Sequence, residues 1–352
     1  MVFCRPITKL FRGSLGKGAE DYDAEIAWAY FTYQLSDSFT VKGGRQRLPY
    51  FLYSDFLDVG YAYHWIAPPS EVYELGGFDN IDGVNLEYYG DWGPVISRIN
   101  LIAGATSTTS GDLAVSSEDH WVISWNMNWD WLTFQATYSE SEVTVDGINL
   151  IADGVNEIMT ASGFPLTSDQ LNSLSMDRDR GYFSGVGLAA DWGTFFASAE
   201  YTDVGVDDSP LNNQKKSWYV SGGFRTGKFT YSLTVSNADL PNNPDTVDTL
   251  TDDLIPAAPG DQNVMFFLDQ AIAGAPDTFA EYSTEQLVDA INSTLIAGYD
   301  VDTYNFTVRY DFHPSAALKF DYSKQEADYF DVYGNTTSRE PELVRIGVDL
   351  VF

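Results

Sequence analysis

"HWVISWNMNWDWLTFQATYS", residues 120–139, sets Trp121, Ile123, Trp125, Met127 and Trp129 on every second position, with Val122, Ser124, Asn126 and Asn128 between them. After Asp130 the pattern resumes, with Leu132, Phe134, Ala136 and Tyr138 against Thr133, Gln135, Thr137 and Ser139. Successive side chains of a strand point to opposite faces, so this spacing predicts two strands joined by a tight turn. One face is bulky and aromatic, the other polar. What the aromatic face touches decides the fold.

The alternation recurs. Trp218, Val220, Gly222 and Phe224 oppose Tyr219, Ser221, Gly223 and Arg225, and Phe229, Tyr231, Leu233 and Val235 oppose Thr230, Ser232, Thr234 and Ser236. Residues 303–312, 318–323 and 344–352 repeat it. Short connections near 36–37, 91–93, 129–131, 191–193, 226–228 and 313–314 alternate with long ones near 48–82, 107–117, 145–180, 204–215, 238–300 and 326–340. That arithmetic predicts six antiparallel hairpins, one strand before them (about 6–16) and one after (341–352), or about fourteen strands in a single domain over 1–352. The start, residues 1–20, is poorly defined.

No stretch of about 18 residues is continuously apolar, so no membrane-spanning helix is indicated. The chain carries 51 acidic and 19 basic residues, a formal charge of −32, and nucleic-acid phosphates would be repelled by it. Such an excess fits a solvated surface or acidic loops bridged by divalent cations. Cys4 is the single cysteine, which excludes an intramolecular disulfide and a Cys-x-x-Cys zinc site. The start, "MVFCRPITKLFRGSLG", places charge where a secretion leader needs an apolar core.

A soluble β-sandwich also alternates, but its core favours Val, Ile and Leu. Here Trp and Tyr crowd the strand ends, as suits a membrane interface. Strands of about ten residues with short turns at one end and long loops at the other fit a membrane β-barrel, which must close because lipid satisfies no backbone group. The expected fold is therefore an all-β, transmembrane antiparallel barrel. Its aromatic face meets lipid and its Ser/Asn/Thr/Gln face meets water. Trp121, Trp129, Trp131, Trp218, Tyr304 and Phe312 are candidates for the aromatic girdle.

The closing "VRIGVDLVF" resembles the C-terminal strand signal of Gram-negative outer-membrane barrels, with Phe352 as the residue read by the barrel assembly machinery. Residues 21–74, "DYDAEIAWAYFTYQLSDSFTVKGGRQRLPYFLYSDFLDVGYAYHWIAPPSEVYE", followed by "FDNIDGVNLEYYG", resemble marine gammaproteobacterial porins of the general porin superfamily. The resemblance implies a homotrimeric, sixteen-stranded channel for small hydrophilic solutes, set in the Gram-negative outer membrane among lipid and lipopolysaccharide, with no cofactor. It also implies a leader and two further strands before "ITKLFRGSLGKG", so a truncated N-terminus is the expectation for this sequence.

Basic residues are scarce. Arg225, Arg309, Lys319 and Arg345 fall on polar faces, and Arg98 joins them as a candidate basic wall. A lipid-facing charge near mid-membrane would cost about 2–4 kcal/mol. Arg45 and Arg47, counted with that wall, point outward by simple alternation from Phe39 and Val41. Either a bulge at Gly43-Gly44 turns them inward or they lie beyond the membrane band.

An acidic loop folded inward would oppose such a wall. Residues 48–82 supply Asp55, Asp58, Glu71, Glu74, Asp79 and Asp82. Residues 229–308 hold thirteen acids and no Lys or Arg, with a capping box at Ser283 and Gln286, and read better as a solvated outer loop. The net charge suggests cation preference, the lumen arginines the reverse.

An enzyme is disfavoured. His64, His120 and His313 do not fall together, His120 reads as an interfacial residue, and no nucleophile elbow or metal-binding histidine pair is present. The remaining alternative is a receptor or adhesion barrel with a blocked lumen.

Overall fold

A computed structural model describes residues 2–3, 28–75, 78–110, 113–146, 175–207, 214–241, 298–330 and 336–351, with isolated positions between 149 and 172. Its strands are β1 (Val2–Phe3), β2 (Ala29–Gln34), β3 (Phe39–Arg47), β4 (Asn80–Asp91), β5 (Val95–Ser110), β6 (Leu113–Trp129), β7 (Leu132–Val145) and β8 (Asp179–Asp191). They continue as β9 (Phe195–Val206), β10 (Lys215–Thr226), β11 (Phe229–Leu240), β12 (Gly298–His313), β13 (Ala316–Phe330), β14 (Thr336–Arg339) and β15 (Glu342–Leu350). All belong to one antiparallel sheet in which each strand from β1 to β14 pairs with the next. β14 and β15 lie along the same edge of β13, one on Ala327–Phe330 and the other on Ala316–Lys324.

The hairpins stand where alternation and turn chemistry place them. "DWG" occurs twice, and both copies make the same turn. Asp91 and Asp191 each accept the N–H of the glycine two residues on, at 3.2 and 2.8 Å, and Gly93 and Gly193 sit at φ 77° and 81°. The left-handed backbone favours glycine there.

One expected long connection is absent. The ladder of β5 and β6 continues from Thr106↔Ser117 to Ser110↔Leu113, so residues 107–110 and 113–117 are strand rather than loop. Their run of Ser and Thr hid a period-2 pattern that carries no hydropathy contrast. The strand expected over 6–16, the bulk of 238–300, the helix at Ser283 and Phe352 all lie outside the described residues.

The sheet is strongly curved. Arg47 of β3 pairs with Asp58, and two residues later the Gly60 carbonyl accepts from Lys319 Nζ, itself 2.8 Å from Asp349 of β15. β3 and β15 are eleven ladder steps apart, ten to β13 and one more. A flat sheet would hold them ~53 Å apart at ~4.8 Å per strand. Two residues of chain, the side chains and the contacts between them span roughly 35 Å at most. The sheet must therefore curl around residues 48–75 as a barrel wall.

Its two faces differ as alternation requires. One cross-strand row on the outside runs Tyr88, Ile99, Trp125, Ala136, Val186, Tyr201, Trp218 through β4–β10. All six girdle candidates are exposed on this face, and Leu233 and Ile346 are 65% and 73% exposed. The adjacent inner row runs Arg98, Asn126, Gln135, Gly187, Glu200, Tyr219, Ser236, Thr303, Gln325. Among the described residues no helix is long and apolar enough to cross a membrane.

Candidate functional site

Residues 48–75 leave the barrel wall after β3 and cross its interior, and residues 78–79 lead into β4, the Leu48 N–H closing on the Asp79 carbonyl at 2.9 Å. Short 3-10 turns at Ser54–Phe56 and Gly60–Ala62 and one helical turn, α1 (Ser70–Tyr73), keep the segment compact. Its aromatic side chains form a dry seat with inward residues of the wall. Trp65 and Tyr219 meet edge to face at 5.7 Å, and Tyr50 stacks on Phe183 at 4.2 Å. Ile102, Val122 and Phe183, aligned with Asn85 and Ser139 on one inner row, supply the apolar part of that seat.

Polar groups of the wall bind the loop backbone and its buried side chains. Gln135 and Thr137 donate to the Pro49 carbonyl at 2.9 and 2.8 Å. Glu200 accepts from the Leu52 N–H at 2.9 Å, from Tyr219 Oη at 2.8 Å and from Tyr73 Oη. Trp65 Nε1 donates to Thr234 at 2.9 Å, and Glu71 accepts from Ser236 at 3.1 Å and Thr303 at 2.5 Å. Each satisfies a polar group that burial would otherwise penalise by ~1–3 kcal/mol.

Six of the seven candidate basic residues divide into four kinds. Arg309 donates to the Tyr61 and Tyr63 carbonyls at 2.7 and 2.9 Å, and Lys319 to those of Gly60 and Trp65 at 2.6 Å each, so both clamp the loop. Arg98 reaches Asp55 at 2.6 Å and Arg47 reaches Asp58 at 2.5 Å, joining wall to loop across the wetter side. Arg345 approaches the buried Asp321 at 3.4 Å. Arg225 stays at the short-turn rim, doubly bonded to Asp191 and lying 4.6 Å over the Phe196 ring.

Arg45 and Asp82 stand elsewhere. They are a directly opposed pair, joined at 2.9 and 2.6 Å, on the face that carries Val84 and Leu86. No register shift interrupts β3 at Gly43-Gly44, so no bulge turns Arg45 inward. Neither residue lines the interior, which corrects both expectations. Of the remaining acids, Glu71 is buried against the wall, the Glu74 carbonyl accepts from Lys215 at 3.2 Å, and Asp79 contributes its carbonyl to the closing bond at Leu48.

Several interior residues escaped the sequence reading. Lys42 and Glu87 form an inner pair at 2.9 Å, which alternation from Phe39 and Val41 does predict for Lys42. His120 is not interfacial. It is 3% exposed and bonded to Tyr50 Oη at 2.8 Å, because it alternates with the outward Trp121 and the loop covers it. Val122, Ile102 and Phe183 break the polarity of the inner face at one height, and that break is the signal that a segment docks there.

Beside the seat an open cavity of about 250 Å³ lies between residues 49–56 and the short-turn half of β5–β8. Arg98, Asp55, Asn126, Asn128, Thr133 and Gln135 line it together with the aromatic residues Phe51, Tyr53 and Phe56. Among the described residues no group of acids, histidines or cysteines is placed to hold a metal ion.

No family model matches the chain, and no curated protein matches it. Its shape is similar to solved outer-membrane proteins at low identity. The outer membrane channel DcaP of Acinetobacter baumannii is 10% identical, with 96% of this chain and 78% of that chain covered at a TM-score of 0.47. Outer-membrane expressed OmpT of Vibrio cholerae is 11% identical, with 93% and 81% covered at 0.49. Salmonella typhi OmpF, solved in complex with daunomycin, is 12% identical, with 92% and 78% covered at 0.45.

Proposed function

We propose that this chain is an outer-membrane porin of a Gram-negative bacterium, a passive channel for small hydrophilic solutes and ions. Its outward rows of Trp, Tyr, Leu and Val would form a large exposed apolar surface in water, whereas in a bilayer they meet hydrocarbon. The single observation that carries the reading is the inward loop. It is held across the lumen and leaves, on its wetter side, a polar cleft bordered by Asp55 and Asp58 on the loop and Arg47, Arg98 and the Lys42–Glu87 pair on the wall. A loop so placed sets the width and field of a pore without needing bond chemistry. Because these charges cancel in pairs, the acidic surface gives only a weak cation preference. A homotrimer in contact with lipopolysaccharide, and assembly through the outer-membrane barrel machinery, go with this reading.

The dry seat under β8–β13 favours a second reading, a receptor barrel whose lumen is blocked. Trp65, Tyr219, Thr307 and Asp321 are all at most 1% exposed, so that half of the interior passes nothing. Conductance of the refolded chain in planar bilayers, with the reversal potential under a salt gradient, separates the two. Stepwise conductance with a weakly cation-selective potential supports the porin. A silent bilayer with correctly folded protein would overturn it in favour of the plugged barrel.

A further inference from the structure

We propose that the cavity on the short-turn side of the loop is a binding subsite for a neutral, polyhydroxylated solute of monosaccharide size. The site stands on its own geometry, and its role as a resting place for a permeating solute rests on the channel reading above. Its volume, about 250 Å³, lies below the usual range for drug-sized ligands and suits one sugar ring.

The two walls differ in chemistry. On the loop side the aromatic residues Phe51, Tyr53 and Phe56 line it, with Tyr53 and Phe56 packed edge to face at 5.6 Å. On the barrel side stand the planar amides Asn126, Asn128 and Gln135. A pyranose has this same division, apolar C–H faces and a rim of hydroxyls that both donate and accept.

The amides are oriented before any ligand arrives. Thr133 Oγ1 donates to Asn128 Oδ1 and Asn128 Nδ2 donates to Asn126 Oδ1, both at 2.9 Å. Asn126 lines the cavity with its Oδ1 taken up in this relay, which leaves its amide N–H groups as the donors it can offer a ligand. Gln135 spends Nε2 on the Pro49 carbonyl, so its Oε1 remains as an acceptor. Arg98 Nε is buried without a partner.

Charge narrows the class further. Arg98 and Asp55, the charged groups of the lining, neutralise each other at 2.6 Å. A carboxylate or an ammonium ligand would compete with a pair already made, while an apolar one would strand the amides at ~1–3 kcal/mol each. A neutral solute with several hydroxyls meets neither cost.

The test is channel current from the refolded full chain titrated with D-glucose, compared with a polyethylene glycol of matched hydrodynamic radius. The variants are Asn126→Ala and Phe56→Ala, each shown to be folded by heat-sensitive gel mobility. The expected result is a saturable decrease in current with glucose alone, its half-saturation raised about fivefold or more in Asn126→Ala. A decrease that is linear and equal for both solutes overturns the subsite and leaves the channel standing. If no current steps occur, the channel reading falls, and saturation-transfer NMR on the same sample decides the site. Transfer to glucose that Asn126→Ala abolishes supports it; no transfer to glucose overturns it.

Discussion

Replacing Trp65 by Ala tests whether the loop is held by the wall in the way the structure indicates. The indole is 1% exposed, packs edge to face on Tyr219 and on Tyr53 at 5.7 Å each, and donates to Thr234 at 2.9 Å. Truncating so large a buried side chain costs about 3–5 kcal/mol, of which the hydrogen bond accounts for ~1 kcal/mol. If that cost falls on docking, the ratio of seated to unseated loop drops by roughly 10² to 10⁴, at 1.4 kcal/mol per factor of ten. Lys319 still holds the residue 65 carbonyl, so the loop loosens without losing every anchor.

The expected phenotype is a larger and noisier single-channel conductance, with residues 48–79 newly open to limited proteolysis. Trp65→Phe keeps most of the ring and loses only the bond, so it should lie close to the unmodified protein. Thr234 remains paired with Ser221 at 2.8 Å in either case. Trp65→Ala channels with unchanged conductance, unchanged noise and a protease-resistant loop would refute the reasoning, because the seat would then contribute nothing to holding the loop.

Three further outcomes are expected. Arg98→Ala leaves Asp55 unpaired in the cleft and should move the reversal potential toward cations, Asp55→Asn the opposite way, and the double variant back near the start. The pair is partly exposed, so none should change unfolding by more than about 1 kcal/mol. Gly187→Val should displace the start of the loop, since a Cβ there would stand 2.6 Å from Leu52 Cγ and 3.0 Å from Glu200 Cγ. The overpacking cost is about 1–3 kcal/mol, read as a lower midpoint in thermal unfolding.

The pH prediction concerns His64. Its burial, reinforced by Lys319, Arg225 and Arg309, lowers its pKa from the ordinary 6.5 to about 3. Between those values the unfolded chain binds a proton that the folded one refuses. The stabilisation is complete above pH ~6.5 and falls by at most about 1.4 kcal/mol per unit as pH drops. His64→Gln should flatten that slope in unfolding titrations; an identical slope in both proteins would count against a neutral, buried ring.

Much of this architecture is written in the period of the chain. Trp121 to Ser139 alternates so strictly that two strands, their turn and their opposite faces follow from side-chain direction alone, and the repeated "DWG" turns follow from aspartate and glycine chemistry. These are local rules, acting between residues one to four apart. The same locality explains the miss at residues 107–117, where Ser and Thr gave no contrast to read.

The role of each interior charge was decided at longer range. Arg98, Arg309 and Lys319 all fall on the polar face, yet one joins an acid, and the other two hold carbonyls about 250 residues away in sequence. Arg45 looked like their equal and stands on the other face beside Asp82. Only the curling of the sheet brings β3, β5 and β15 against one loop, and only the loop's seating determines which side of the interior stays wet. Alternation tells a side chain which way to point, but its partner depends on what the closed wall encloses.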